Sequence, residues 1–222
     1  FITIENTLET TIDYEVTENG TYYVYAKDAY NHISHEKIII DKVDNKAPVI
    51  NSITNSSNGE WTNQNVSIVI DGQDNETSIS KYQIKYSKTN NLWTDLTDNT
   101  NLFTEDLNET VYYRIIDKAG NISEEKSVDI KIDKTAPSKT VVDFHGYTLN
   151  TWANYNVNRT FTATDNGSGI DHYEWSSDCV NIGGVEPSNS VPITWDNINY
   201  ACHRAVDKVG NIGPWSNKNI VK

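Results

Sequence analysis

Three loops of the chain carry an aspartate followed at a fixed distance by residues that suit a tight turn. They read DAYNH, DKAGN and DKVGN and begin at Asp28, Asp117 and Asp207. A carboxylate in such a loop can coordinate a hard cation, or it can accept backbone N–H groups and close the turn. The loops are therefore candidate sites as well as candidate turns.

The residue three positions after each aspartate separates these two roles. It is Gly120 in the second loop and Asn31 in the first, and glycine and asparagine are the residues that most readily take a positive φ. A backbone role predicts this exchange, whereas a ligand role does not. We therefore interpret the loops as turns, with the structural residues Asp28, Asn31, Asp117, Gly120, Asn121, Asp207, Gly210 and Asn211.

Acidic residues also lie in the segments DKVDNKAP and IDKTAP. The first segment resembles the Asp- and Asn-rich interdomain linkers of cadherins, where carboxylates from adjoining domains converge on hard cations. The candidate calcium ligands are Asp41, Asp44 and Asp133, joined by Asp74 or Asp165. The lysines that compete for these carboxylates are Lys42, Lys46 and Lys134, and no EF-hand spacing is present. We expect no cofactor, with calcium at these segments as the alternative.

Cys179 and Cys202 are the only thiols of the chain. An even pair within one repeat is compatible with a disulfide, as in exported proteins, and two unrelated reduced thiols are the alternative. The strand phase places Cys202 on the charged face with Arg204, so a bridge is predicted on the outside of the sheet. His203 falls on the opposite face and is predicted to be a hydrogen-bonded core histidine.

Aromatic residues are concentrated in the last third of the chain. Trp152 and Trp175 have strand phases that suit a core. Trp195 and Trp215 flank loops and are, with Tyr200, the candidates for a surface that binds a glycan or a host protein. Packing in the core or at its rim is the alternative for these rings.

Catalysis and nucleic-acid binding find no support in the sequence. There is no G-x-S-x-G, no H-E-x-x-H and no phosphate-binding loop, so we expect no enzyme activity. The net charge is −13, whereas phosphate binding needs clustered Lys and Arg. No apolar run reaches transmembrane length, so we expect no membrane insertion of this fragment.

The aspartate loops recur with a period of about 90 residues. Asp28 and Asp117 are 89 positions apart, Asp117 and Asp207 are 90 apart, and Trp61 and Trp152 are 91 apart. This length is that of one sandwich domain. We predict domains at 47–135 and 136–222, and the C-terminal half of a truncated repeat at 1–46. Because the chain begins inside this repeat, we expect it to be a piece of a larger protein.

The elements that position the loops are predicted to be antiparallel strands. In NVSIVID the residues Val66, Ile68 and Ile70 alternate inward, and KYQIKY alternates Tyr82, Ile84 and Tyr86. About seven short strands per repeat indicate an all-β fold of tandem immunoglobulin-like β-sandwiches. Proline after Ala47 and Ala136 favours stiff junctions, so we expect the domains to form a rod.

The combination of motifs resembles the Ig-like repeats of large bacterial surface and cell-wall proteins. The motifs are DKTAP, the strand entries WTNQNV and WANYNV, the pair DNETSI and DNGSGI, and YRIIDKAGN. The resemblance covers essentially the whole chain and implies extracellular stalk or adhesion modules without catalysis. The third copy departs from the pattern through its two cysteines and the HRAVD segment.

We expect a non-catalytic, monomeric stalk at the cell surface or in the cell wall, which spaces or presents a functional module. One alternative is a glycan- or protein-binding module centred on the third repeat. Another is a set of accessory domains of a larger cell-wall enzyme. A binding function would make a glycan or a cell-surface protein the partner.

Overall fold

A computed structural model describes residues 13–89, 91–193 and 199–221, with only the backbone of residues 199 and 200. These residues form sixteen β-strands. No helix occurs among them, and therefore none that could cross a membrane. The all-β prediction is confirmed.

The first two strands form a hairpin that closes with the DAYNH loop. Strand β1 (Gly20–Lys27) pairs antiparallel with β2 (Ile33–Ile40). Its side chains are largely exposed, and Val24 keeps 54% of its surface accessible. The position of Val24 in the repeat corresponds to that of Tyr113, which is fully buried. The hairpin therefore has the residues of a core face, but no described strand covers that face.

The strands between Val49 and Ile132 form a sandwich of two antiparallel sheets. Its strands are β3 (Val49–Asn55), β4 (Val66–Gln73), β5 (Ile79–Lys85), β6 (Thr94–Leu96), β7 (Thr100–Phe103), β8 (Leu107–Asp117) and β9 (Lys126–Ile132). One sheet has the order β3-β4-β7, and the other has the order β6-β5-β8-β9. The two inner faces enclose one apolar core.

Five of the six positions predicted to point inward are buried in the core of this sandwich or packed against it. Val66, Ile68 and Ile70 are fully buried, which confirms their inward phase. The prediction for Tyr86 was wrong, because β5 ends at Lys85 and the tyrosine ring is 52% exposed. That ring lies edge-on to Phe103, with 6.5 Å between the ring centroids.

The strands between Val141 and Val221 repeat the same topology. The strands are β10 (Val141–Asp143), β11 (Val157–Thr162), β12 (Ile170–Ser176), β13 (Gly184–Val185), β14 (Ser190–Ile193), β15 (Asn199–Asp207) and β16 (Asn219–Val221). The sheet orders, β10-β11-β14 and β13-β12-β15-β16, match those of the preceding sandwich strand for strand. Phe161, Tyr173 and Ala205 form one part of its core. The described residues thus contain two immunoglobulin-like β-sandwich units, preceded by the β1–β2 hairpin.

Each aspartate loop contains one residue with a positive φ, a conformation that few residues other than glycine and asparagine adopt. The φ angles are 69° at Asn31, 97° at Gly120 and 90° at Gly210. In the second loop the carboxylate Oδ1 of Asp117 accepts hydrogen bonds from the amides of Gly120 at 2.7 Å and Asn121 at 2.9 Å. The carboxylate therefore closes the turn while Gly120 supplies the left-handed residue that the turn needs.

Substituting Gly120 is expected to cost stability through backbone strain alone, because no atom of the described residues lies within 4 Å of an added Cβ. Gly120→Val should destabilise the protein by about 1–2 kcal/mol, the cost of a left-handed conformation for an ordinary residue. Gly120→Asn is the matched control and should cost less, since Asn31 holds this position in the first loop. Urea denaturation measures the difference, and equal midpoints for the two variants would contradict the backbone role.

Candidate cation sites at the repeat junctions

Two clusters of three aspartates lie one repeat apart. The first consists of Asp44, Asp74 and Asp117, and the second consists of Asp133, Asp165 and Asp207. Within each cluster one carboxylate oxygen from every residue lies within 4.8 Å of the others. Carboxylate oxygens at this separation can coordinate one hard cation, with water completing the shell.

The topology explains why these aspartates meet. Asp133 directly follows β9 and begins the connection to the next sandwich. Asp165 lies in the loop after β11, and Asp207 is the last residue of β15. The two loops thus face the end of the preceding unit, so each cluster joins one repeat to the next. The first cluster has the same construction around Asp44.

Side-chain amides hold the same junctions together. Asn211 Nδ2 donates to the carbonyl oxygen of Asp133 at 2.8 Å. Asn121 Nδ2 makes the equivalent bond to Asp44 at 3.2 Å. At the second junction Asn63 Nδ2 also donates across to the carbonyl of Val209 at 2.9 Å. Asn121 and Asn211, the last residues of their aspartate loops, therefore make contacts between repeats as well as forming the turns.

The lysines expected to compete for the junction carboxylates bind elsewhere. Lys46 Nζ pairs with Glu76. Lys134 Nζ donates to Asn65 Oδ1 and to the carbonyl of Thr104. Among the described residues, no ion pair joins a cluster carboxylate to a lysine, arginine or histidine. The bond with Glu76 and the nearby charges of Asp44 and Asp74 raise the pKa of Lys46, so this lysine remains close to the first cluster without a direct ion pair to it.

Hydrogen bonds keep Asp117 ionised despite its burial. Its side chain is nearly inaccessible to solvent. Burial raises the pKa of the Asp117 carboxyl, but donors from Asn121 and Gly120 outweigh that effect and lower the pKa overall. A carboxylate that stays charged next to two others provides a strong attraction for a cation.

The structure changes the set of candidate calcium ligands. Four of the predicted ligands come together, Asp44 with Asp74 in the first cluster and Asp133 with Asp165 in the second. Asp41 is exposed and belongs to neither cluster. The third member of each cluster, Asp117 and Asp207, was missed as a ligand because the sequence assigned it to the turn. The only signal that could have found them is the repeat itself, which carries an aspartate at three equivalent places in each unit.

Cys179 and Cys202 form a disulfide across the β12–β13 connection, with 5.4 Å between their Cα atoms. Arg204, two residues after Cys202 in β15, lies over the ring of Trp215 at 4.3 Å. Cys202 is fully buried, since the connection that carries Cys179 folds over it.

His203 is the predicted core histidine, and its burial is confirmed at 1% exposure. Its Nε2 lies 3.0 Å from Glu186 Oε1, and Arg159 Nη2 lies at the same distance from that oxygen. The ring stacks on Phe161 with 4.4 Å between centroids. Burial lowers the pKa of His203, although the hydrogen bond with Glu186 acts in the opposite direction. This group is a structural network inside the sandwich.

Of the three aromatic residues predicted to bind a ligand, Trp215 alone has a side chain within the described part of the structure. Trp215 is half-buried beneath the Arg204 guanidinium. Trp195 lies outside the described residues, and Tyr200 is described by its backbone alone, which pairs with Ile220. Trp152, expected in the core, is 74% exposed, because the connection from β10 to β11 is irregular there and has no strand phase. Trp175 is half-buried.

Among known proteins, this chain is similar only to solved structures, and the similarity concerns the fold. No protein-family model and no curated protein sequence matches the chain. The fibronectin(III)-like modules of Clostridium thermocellum CbhA are 17% identical, with a TM-score of 0.33, and 77% of this chain and 92% of that chain are covered.

Two further solved structures are similar at the same level. Chitinase ChiA74 from Bacillus thuringiensis is 17% identical, with a TM-score of 0.34, and 82% of this chain and 30% of that one are covered. The N-terminal four Ig domains of Dscam1 isoform 6.44 are 11% identical, with a TM-score of 0.36, 87% of this chain covered and 50% of that one.

Proposed function

We propose that the chain is part of a non-catalytic extracellular stalk whose immunoglobulin-like units are fixed to one another by calcium. The observation that carries this proposal is the recurrence of the carboxylate cluster. Asp44, Asp74 and Asp117 meet at one junction, and their equivalents one repeat later meet at the next. A surface of acidic residues would not be expected to place the same three carboxylates at both junctions.

Calcium is the cation that suits this set of ligands. All donors are hard oxygens, and the arrangement offers neither thiolate nor imidazole, the ligands that zinc prefers. Calcium takes 6–8 oxygens and accepts irregular geometry, so three carboxylates with backbone carbonyls and water are sufficient. Magnesium demands a tighter octahedron and keeps more of its water.

An extracellular location fits both the cation and the disulfide. Binding modules outside the cell work at calcium concentrations near the millimolar range. The Cys179–Cys202 bridge is a type of crosslink that persists in oxidising compartments and is rare in the cytosol. Stacked sandwiches with cation-bridged junctions would provide length and stiffness, which is what a spacer at a cell surface requires.

Small-angle X-ray scattering of the full chain tests the stalk. Calcium should offset two of the three negative charges of each cluster and hold adjoining units in one orientation. The scattering should therefore change from that of a flexible ensemble in EDTA to that of a stiffer particle. The magnesium-containing sample is the control and should resemble the EDTA sample more closely. Identical curves with and without saturating calcium would contradict cation-fixed junctions.

A further inference from the structure

A buried carboxylate links two nitrogen-bearing side chains in the sandwich between Val141 and Val221, the third unit. Glu186 Oε1 lies 3.0 Å from Arg159 Nη2 and 3.0 Å from His203 Nε2. The side chain of Glu186 is 3% exposed, and that of His203 is 1% exposed. Because β11 carries Arg159 and β15 carries His203, the carboxylate joins the two sheets through the core.

The preceding sandwich has apolar or aromatic residues at the three corresponding positions. The strand registers of the two sandwiches match Arg159, Glu186 and His203 with, in the same order, Ile68, Leu96 and Tyr113. The isoleucine and the tyrosine are fully buried, and the leucine packs against the same core. A buried ion pair seldom adds stability over apolar groups of similar volume. The fold therefore forms without these charges, and the third unit alone of the two sandwiches carries them.

The contacts of the His203 ring suit its neutral form. Nε2 faces the Glu186 carboxylate, so the proton of the neutral ring lies on this nitrogen and is donated to the carboxylate. Nδ1 is buried and has no hydrogen-bond partner among the described residues. A second proton would turn Nδ1 into a buried donor without an acceptor, which costs free energy.

Protonation of His203 would also place two cations beside one carboxylate. Among the described residues, the charged groups that act on the ring are Glu186 and Arg159. From β12, Tyr173 is the other titratable side chain in this part of the core, and burial raises its pKa, so it stays neutral. Strands β13, β14 and β16 contain no ionisable side chain. The segment after β15 contributes the Ser216 hydroxyl, which accepts from the His203 amide at 2.9 Å. A second positive charge would therefore have no second carboxylate to balance it.

We propose that the Arg159–Glu186–His203 triad makes the third unit sensitive to mild acid, because the packing of the two sheets requires a neutral histidine. Burial lowers the pKa of His203 below its ordinary value of 6.5, Arg159 acts in the same direction, and the bond with Glu186 opposes them. The unfolded chain therefore takes up this proton at a higher pH than the folded unit. The contribution of the neutral ring to stability is present above pH 6.5 and is lost as the pH falls below it. The triad acts independently of the proposed calcium sites.

Differential scanning calorimetry of the full chain in EDTA, at one pH unit above and one below 6.5, tests this sensitivity. The transition of the third unit should move several degrees lower at the acidic pH, which corresponds to a rise of about tenfold in its unfolding equilibrium constant. Residues 47–135 contain no histidine, so the transition of that unit is the internal control and should move much less. Equal shifts of the two transitions would overturn the proposal.

Two glutamine variants assign the shift to one histidine. His203→Gln removes the titrating ring and keeps an amide that can donate to Glu186. Its third-unit transition should stay at the same temperature when the pH is lowered. His172→Gln is the matched control, because His172 lies on the neighbouring strand β12 and is 30% exposed. It should keep the wild-type shift. A full shift in His203→Gln, or its loss in His172→Gln, would overturn the role of the triad.

Nitrogen NMR of the histidine rings in the folded wild type tests the same point without a substitution, and it decides the question if His203→Gln does not fold. The His203 ring should take up its second proton only below pH 6.5. Its neutral form should carry the proton on Nε2. Protonation of the folded protein at or above pH 6.5, or a proton on Nδ1 of the neutral ring, would contradict the triad as the source of acid sensitivity.

Discussion

Calcium is expected to raise the thermal stability of this protein, and Asp165→Asn is expected to remove much of that gain. A ligand at one hundred times its dissociation constant stabilises the folded state by about 2.7 kcal/mol. For a unit of this size, that corresponds to a midpoint shift on the order of 10 °C. Differential scanning calorimetry in CaCl₂ and in EDTA measures the shift.

The sign of the variant's effect reverses between the two buffers. In EDTA the Asp165 carboxylate faces two others without a described cationic partner, so neutralising it relieves repulsion. Asp165→Asn should therefore melt at or above the wild-type midpoint in EDTA. In calcium it lacks one ligand of the cluster and should melt below the wild type. A crossing of this kind does not follow from a general loss of folding stability.

Asp171→Asn is the matched control for this experiment. Asp171 lies in the same unit and is exposed, and the substitution changes the net charge by the same amount. Its calcium shift should equal that of the wild type. If the wild type shows no calcium shift, or if Asp165→Asn shows the full shift, the second cluster is not a cation site.

The sequence predicted the strands well because their signal is local. Alternation such as that of Val66, Ile68 and Ile70 identifies the buried face within one strand. The signal fails where a strand ends, which is why Tyr86 and Trp152 were assigned to a core that they do not enter. The alternation of side chains between the two faces predicts burial only within a strand, because it depends on the extended backbone.

The cluster was predictable only in part because its members are far apart in sequence. Asp133 lies in a segment that already looked like a junction, whereas Asp165 and Asp207 lie 32 and 74 residues after it. Its turn role was argued correctly from backbone conformation, and that argument was taken to exclude a ligand role. The structure places the same carboxylate in both positions, since Oδ1 closes the turn at 2.8 Å from the Asn211 amide while the side chain belongs to the cluster.

Reducing the Cys179–Cys202 bridge is expected to destabilise the third unit selectively. In the chain-entropy model, releasing a crosslink across a separation of 23 residues costs roughly 3 kcal/mol. Burial of Cys202 adds to this cost, because a thiol pair in that space must give up the packing of the covalent bridge. The expected loss of stability is therefore comparable to the gain expected from calcium, but it is confined to the third unit.

The chain contains its own control for this measurement. Residues 47–135 have no cysteine, so their unfolding transition should be the same with and without reductant. The transition of residues 136–222 should move to lower temperature in reductant. The double variant Cys179→Ser, Cys202→Ala should show the lower transition in both buffers. An unchanged third-unit transition after complete reduction would mean that the sandwich holds the loop over β15 without help from the bridge, and it would remove the crosslink from the account of what stabilises this unit.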